Sequence, residues 1–466
     1  MMMTRQNTLG LFTILAMGTV TAHVNAQLPV YGRPTPTLTI FDDVMQSYMD
    51  YWDINAGVLA VSVNGNVVYQ HGFGSGVPEN TLFRLASVEK PITAAAIQRL
   101  VADGHLSMND NAFDLGQFGG GILPHQPYND LLGDEWLKYI TVMDLLNHQG
   151  GWDRGTAPIG DPQFKTVFIA NELGIASPAD TDDIISYMLA QPVDYIPGTN
   201  GCTNDDGDPT YCYSNFGYMV LGKIVEEVSG MSLLQYVRTK ILTPSMDVPN
   251  QELIFGRTFD SWNSPREPTY QCSACSVQNV FNPGGSQVQN PYGGWHHEAF
   301  MGHGNLVASA APLLEYMDRY QVGVQSGAGV PLPSGSFGNF FQFNGAIDGI
   351  STTIRQRGDA INIVVLLSKR QGVDHAGEVA GLISNIITNT NPTWPTGTAD
   401  GFWTDFNDGG GLQVGGYHHP FGSMSQAIGV GAGAKVRLKP GSTSWTGTIS
   451  HRVRFDAPLG TATIGQ

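Results

Sequence analysis

The chain has 466 residues, with 23 Lys and Arg against 40 Asp and Glu, for a net charge of −17. That length allows two to three domain-sized cores or one large enzyme domain. The shortage of Lys and Arg, with no basic block, argues against nucleic acid or anionic membrane as a partner, since both are bound through clustered positive charge.

Residues 1–27, "MMMTRQNTLGLFTILAMGTVTAHVNAQ", place Arg5 before an apolar run from Leu9 to about Val20 and end in Val24-Asn25-Ala26. This is the pattern of a secretory signal peptide over residues 1–26, which implies a secreted or periplasmic protein. The run is too short for a membrane span, and no later one approaches the roughly 18 to 20 residues that a helical span needs.

After a Pro-rich start, "FDDVMQSYMDYW" has helical spacing. "GVLAVSVNGNVVYQHGFG" then gives two β-rich runs joined by Asn64-Gly65, a strong hairpin signal. A helix-like run follows through "QRLVADGHLSMND", with Gly104 ending it. From about 105 to 310, helical segments such as "TVMDLLNHQ", opened by the capping pair Thr141 and Asp144, and "GYMVLGKIVEEVSG" alternate with loops rich in Gly, Pro, Asn and Asp. "ISTTIRQRGDAINIVVLLS" returns to strand character around Arg357-Gly358-Asp359, an ordinary turn rather than an adhesion signal, and "DHAGEVAGLISNIITN" reads as a closing helix. Strands at both ends with helices between them imply an α/β sandwich with a helical subdomain. The Gly-, Thr- and Ser-rich tail, residues 392–466, reads as a small β-rich appendage, with a hairpin expected about its Pro440-Gly441 turn.

The four cysteines form two close pairs, Cys202 with Cys212 and Cys272 with Cys275. In an oxidising compartment these read as short-loop disulfides; a zinc site would need both pairs to converge, and no other feature requires a metal. His296, His297 and His303 lack a metal-binding spacing and read as loop residues. "NDDGD" at 204–208 lacks the downstream glutamate of a calcium loop and reads as a surface loop.

In "RLASVEKPIT", Ser87 precedes Lys90 by three residues and Pro91 follows directly. A chain this long contains Ser-x-x-Lys roughly once by chance, so the spacing alone proves little. On a helix the two side chains lie on one face, and a lysine with a lowered pKa can take the serine's proton. Pro91 is tolerated only near a helix start, which puts the Ser87 amide among the unpaired N–H groups at the positive end of the helix dipole. In isolation a capping serine beside a solvated Lys90 and an exposed Glu89 explains the same letters.

Further motifs decide between the two. "FRLASVEKPITAAAIQRLVADGHLSMND", "TVMDLLNHQGGW", "YSNFGYMVLGKIVEEVSG" and "GHGNLVASAAPLLEYM" occur in the order found in the serine β-lactamase and penicillin-binding-protein superfamily. The chain resembles the branch of class C β-lactamases, D-alanyl carboxypeptidases, D-aminopeptidases and esterases over about residues 40–390. The resemblance implies an antiparallel sheet flanked by helices, with a hydrolase domain over 27–391. It also implies Ser87 as nucleophile, Lys90 as proton acceptor, Tyr213 as base and acid, and Asn215 as a substrate contact. Where the branch carries Lys-Thr-Gly or His-x-Gly, this chain has Phe343-Asn344-Gly345, expected to line the substrate; the N–H groups of Ser87 and Ala346 are the implied oxyanion donors. Without the positive side chain, a substrate carboxylate is less favoured unless an Arg or His is relocated. The expected enzyme is a serine hydrolase acting without cofactor on an ester or peptide-like amide. The alternatives are a β-lactamase or D-alanyl-D-alanine carboxypeptidase, and a non-catalytic binding protein. No Gly-x-Ser-x-Gly elbow occurs, which argues against an α/β-hydrolase. The sequence sets no oligomeric state.

Overall fold

A computed structural model describes residues 28–465 other than 157–158, 243–249, 260, 262, 324, 334–337, 371, 396–401, 408–419, 431–434 and 458–460. The segment expected to be a signal peptide, residues 1–26, lies outside the described residues.

The chain opens with β1 (Val30–Gly32) and α1 (Thr39–Tyr51), followed by the hairpin β2 (Gly57–Val63) and β3 (Asn66–Phe73). Asn64 and Gly65 have φ of 52° and 73°, as the predicted two-residue turn requires. After β4 (Phe83–Arg84) come α2 (Glu89–Ala102), α3 (Val142–Leu146), α4 (Thr166–Leu173) and α5 (Thr181–Leu189). The small hairpin β5 (Cys202–Thr203) and β6 (Pro209–Thr210) precedes α6 (Asn215–Ser229) and α7 (Leu233–Tyr236). Then follow β7 (Leu253–Phe255), β8 (Ser276–Val277), β9 (Val288–Gln289), β10 (Leu306–Ala308) and α8 (Ala310–Arg319). The hairpins of β11 (Phe341–Ile347), β12 (Ile350–Gln356) and β13 (Ile361–Leu367) lead into α9 (His375–Thr390).

One six-stranded antiparallel sheet, in the order β1-β3-β2-β13-β12-β11, joins the two ends of the hydrolase region. Successive residues of a strand face opposite sides, so "GVLAVSV" and "INIVVLL" serve two cores. Leu59, Val61, Ile363, Val365 and Leu367 pack under α1 and α9. Val58, Ala60, Val364, Leu366, Ile350 and Ile354 pack against the helical region built around α2 and α6. This is the expected α/β sandwich with its helical subdomain. Thr141 and Asp144 cap α3 reciprocally, Ser214 caps α6 through Gly217 N, and Gly104, with φ 75°, follows the end of α2. Arg357 and Asp359 pair across the β12–β13 turn, and Arg357 also donates to the Ser384 carbonyl, so that tripeptide is committed to the fold.

Beyond α9, β14 (Phe402–Thr404), α10 (Met424–Ile428), β15 (Lys435–Leu438), β16 (Gly441–Thr443), β17 (Arg454–Asp456) and β18 (Ala462–Ile464) form two small sheets. The hairpin expected about Pro440-Gly441 is not formed. β15 is flanked on both sides by parallel strands, β14 and β17, and Lys439 N continues the β14 pairing at Thr404 O. With both edges occupied, β15 leaves β16 to pair with β18 in the other sheet. Both expected disulfides are present, Cys202–Cys212 and Cys272–Cys275. Asn204 Oδ1 accepts from the N–H groups of Asp206 and Asp208, closing the acidic segment as a hairpin tip. No helix among the described residues is long and apolar enough to cross a membrane.

Candidate active site

The site is built where β4 turns into α2. Arg84, fully buried at the end of β4, donates to the carbonyls of Pro291 (2.8 Å) and Arg257 (2.9 Å) and faces Glu267 (3.4 Å), which fixes the strand's exit. Leu85 N donates to Leu306 O, and Ala86 takes φ 47°, a left-handed conformation costly for a residue with a Cβ. A short 3-10 turn, Ala86–Val88, carries Ser87, and α2 begins at Glu89, two residues later than the proline argument implies. Pro91 is the third residue of α2, in its first turn, where a proline is tolerated. Ser87 is second in the helical segment, so its amide is among those left without an intrahelical acceptor.

Ser87 itself is partly exposed, whereas Lys90 is fully buried. Lys90 Nζ lies 3.1 Å from Ser87 Oγ, 2.7 Å from Asn215 Oδ1 and 3.1 Å from His303 O. Burial lowers its pKa to about 7 against the pull of Asp161 and Glu89. A neutral amine has two N–H donors, which suit the two carbonyl oxygens, and one lone pair, which is then free for the Ser87 hydroxyl proton. The ring of Tyr213 is centred 4.7 Å from Lys90 Nζ. Burial holds the Tyr213 phenol well above its ordinary pKa, outweighing its hydrogen bond with Ser87 and the charge of Arg154. Tyr213 is therefore a protonated phenol at neutral pH.

The predicted residues Ser87, Lys90, Tyr213 and Asn215 thus converge. The strand residues divide. Gly345 faces the turn that carries Ser87 so closely that a Cβ there would overlap Leu85 O and Thr352 Oγ1 and lie 3.1 Å from Val88 N. Thr352 Oγ1 also donates to Leu85 O at 2.7 Å, tying β12 to the same turn. Ala346 follows on the edge strand, paired with Ser351. Phe343 is buried with the core on the side of Leu85, Ala86 and Val88. The Asn344 side chain is a correction: strand alternation turns it to the opposite face, where it donates to Asp374 at the start of α9.

Four further residues complete the surroundings. Glu89, an exposed charge only under the capping-serine reading, is fully buried and accepts from Gly302 N (2.8 Å) and Leu306 N (2.9 Å), bracketing the His303 carbonyl that Lys90 uses. Burial raises its pKa to about 7. His148 stacks on Tyr213 at 4.7 Å and accepts from Ser214 N through Nδ1; burial lowers its pKa to about 3, so it is neutral. Asp161 Oδ2 accepts from Asn215 Nδ2 at 3.0 Å, orienting the amide so that its oxygen meets Lys90. The Arg154 guanidinium lies 4.8 Å from the Tyr213 ring centre. His148 stood inside the quoted "TVMDLLNHQGGW"; Asp161 and Arg154 sit in loops with no local signature. The histidines expected in loops also differ from a solvated picture, since His297 and His303 are buried and only the backbone of His303 reaches Lys90.

Beside the end of β11 opens a cavity of about 660 Å³, bordered by Phe164, Lys165, Trp295, Ile347, Asp348 and Arg370. Ile347 directly follows Ala346, and Phe164 lies three residues after Asp161.

The family model for beta-lactamases matches residues 41–379. A protein of Salmonella paratyphi A provisionally named D-alanyl-D-alanine carboxypeptidase is 26% identical over 258 residues, covering 50% of this chain and 54% of the relative. The chain therefore spans about half the length of the curated relatives it matches. Among solved structures, the octameric penicillin-binding protein homologue from Pyrococcus abyssi is similar at 20% identity, covering 75% of this chain and 77% of its own, with a TM-score of 0.48. A D-stereospecific amidohydrolase from Streptomyces sp. is similar at 16% identity, covering 74% of this chain and 97% of its own, with a TM-score of 0.47. With the match extending from α1 into α9 and so enclosing the whole six-stranded sheet except β1, the chain belongs to the beta-lactamase family.

Proposed function

We propose that the chain is an exported hydrolase that cleaves ester or peptide-like amide bonds through an acyl-enzyme on Ser87. The observation that carries this reading is the buried Lys90 amine, 3.1 Å from Ser87 Oγ and with its pKa lowered to about 7. Lys90 takes the hydroxyl proton as Ser87 attacks the carbonyl carbon. The amides of Ser87 and Ala346 hold the oxyanion. The Tyr213 phenol, protonated and hydrogen-bonded to Ser87, gives its proton to the departing oxygen or nitrogen. Water then attacks the acyl-enzyme and releases the acid. Asn215 holds Lys90, and the cavity beside Ile347, bordered by the rings of Phe164, Phe168 and Trp295 and by the charged Lys165, Asp348 and Arg370, offers room for an acyl group with both apolar and polar parts. Two disulfides support an oxidising, extracytoplasmic compartment.

The pH profile tests the proton acceptor. A lysine whose pKa is lowered to about 7 is an ammonium with no lone pair below that pH and a base above it. For a p-nitrophenyl ester, kcat/KM is expected to rise about tenfold per pH unit below 7 and level off above it. A flat or falling profile between pH 5.5 and 8 would remove Lys90 from the role. Turnover of short-chain p-nitrophenyl esters, D-amino acid anilides and nitrocefin by one preparation then ranks the substrate classes.

A further inference from the structure

Tyr213 directly follows Cys212, which is 1% exposed and bonded to Cys202 across the small β5–β6 hairpin. That hairpin consists of two residue pairs, Cys202 with Thr210 and Thr203 with Pro209, and its tip at 204–208 is exposed. So short a ladder holds little by itself. The residues ahead of Cys202 are fixed to the body of the protein. Tyr195 Oη donates to His148 O (3.0 Å), Gly198 N to Gln149 O (2.8 Å) and Gln149 Nε2 to Asn200 Oδ1 (2.8 Å). The His148 ring in turn stacks on Tyr211 (5.4 Å) and Tyr213 (4.7 Å) and accepts from Ser214 N (3.1 Å). A carboxylate oxygen of Asp153 lies within 4.8 Å of both sulfurs, so the disulfide sits against the loop that follows α3. Tyr213 is therefore held on its downstream side by Ser214, which also caps α6. Upstream, no hydrogen bond among the described residues ties the backbone of Tyr211 or Cys212 to another segment, and the disulfide supplies the attachment.

Resting on the reading of Tyr213 as proton donor to the leaving group, we propose that Cys212, through its bond to Cys202, is a positioning residue for Tyr213, so that proton delivery to the departing atom depends on the oxidised state of this pair. The bond keeps the two Cα atoms 5.2 Å apart; without it, the exposed hairpin is the remaining link to Cys202. A displacement of the phenol by about 1 Å is enough to cost a hundredfold in proton transfer. Lys90 is held by Asn215 and the His303 carbonyl, which the disulfide does not touch, so the Ser87 proton is still accepted. Loss of the bond thus acts on leaving-group protonation rather than on attack by Ser87.

A p-nitrophenolate departs without a proton, whereas the alkoxide of an ethyl ester needs one. In the full chain carrying Cys202→Ala with Cys212→Ala, kcat/KM for the ethyl ester is expected to fall about a hundredfold, and for the p-nitrophenyl ester of the same acyl group less than about fivefold. Dithiothreitol is expected to have the same effect on the native chain. One of its thiolates attacks the part-exposed Cys202 sulfur and releases Cys212 as a thiolate that takes a proton; its second thiol then closes the cyclic disulfide and frees Cys202 as a thiol. Cys272→Ala with Cys275→Ala is expected to keep both the parental ratio and the response to dithiothreitol. Tyr213→Phe is expected to raise the p-nitrophenyl-to-ethyl ratio as the Cys202 and Cys212 changes do, and the combination to add nothing. Should the double variant fail to fold, the reduced native chain decides; should neither ester turn over, the rates at which p-nitrophenyl and phenyl phosphonates label Ser87 supply the ratio. Equal losses on the two leaving groups, or an unchanged ratio, in either the folded variant or the reduced chain overturns the proposal. A Tyr213→Phe ratio equal to the parent's would instead defeat the proton-donor reading, so the two failures are distinct.

Discussion

Replacing Lys90 with Met is expected to lower kcat/KM by about a thousandfold on any substrate the enzyme accepts, the effect of losing a positioned general base. Methionine keeps the length of the side chain and removes its only basic atom. The substitution also removes the cost of enclosing an amine that burial already brings down to a pKa of about 7. Against that gain, the Asn215 Oδ1 and His303 carbonyl lose their donor. These changes oppose one another, so the urea midpoint is expected to move little while activity collapses. Activity within tenfold of the parent would show that another group takes the serine proton.

Gly345→Ala is the second large effect and acts through the backbone alone. The added Cβ overlaps Leu85 O and Thr352 Oγ1, and no flexible side-chain end can move aside for the carbonyl. Edge strand β11 must shift away from the turn that carries Ser87, carrying Ala346 N with it. Losing one oxyanion donor reduces kcat by about a hundred- to a thousandfold, and overpacking of this kind costs about 1–3 kcal/mol of stability. Steady-state kinetics and urea denaturation on the same preparation check both. Parental kcat in the Gly345→Ala variant would mean that the approach of β11 to Leu85 does not set the geometry of the reaction.

Local signals carried most of the fold. Asn64-Gly65 specified its hairpin through φ values few other pairs adopt, and Thr141 with Asp144 marked the start of α3. Where the sequence misled, the deciding partner was remote. "KVRL" and "GST" alternate like a hairpin, but alternation does not name the neighbouring strand, and β14 and β17 had already taken both edges of β15. Glu89 beside Lys90 has the look of an exposed charge; what buries it is a pair of backbone donors more than 200 residues downstream. Asn344 is a similar case, since the motif placed it on the right strand but not on the face, and the register of β11 with β12 decides that. The start of α2 was displaced by two residues because the strained Ala86 and its 3-10 turn precede the regular helix.

The candidate site was legible because Ser87 and Lys90 are helical neighbours and "YSN" opens a capped helix. Arg154 and Asp161 were not, since each is a single loop residue whose meaning comes from Tyr213 and Asn215 across the cleft.

The most direct measurement is reaction of the native chain with a fluorophosphonate probe, followed by mass-spectrometric identification of the modified peptide. A covalent adduct on Ser87, absent in Ser87→Ala and slowed in Lys90→Met, is the predicted result. Absence of any adduct on Ser87, or equal labelling of the native chain and Ser87→Ala, would contradict the assignment of Ser87 as the nucleophile.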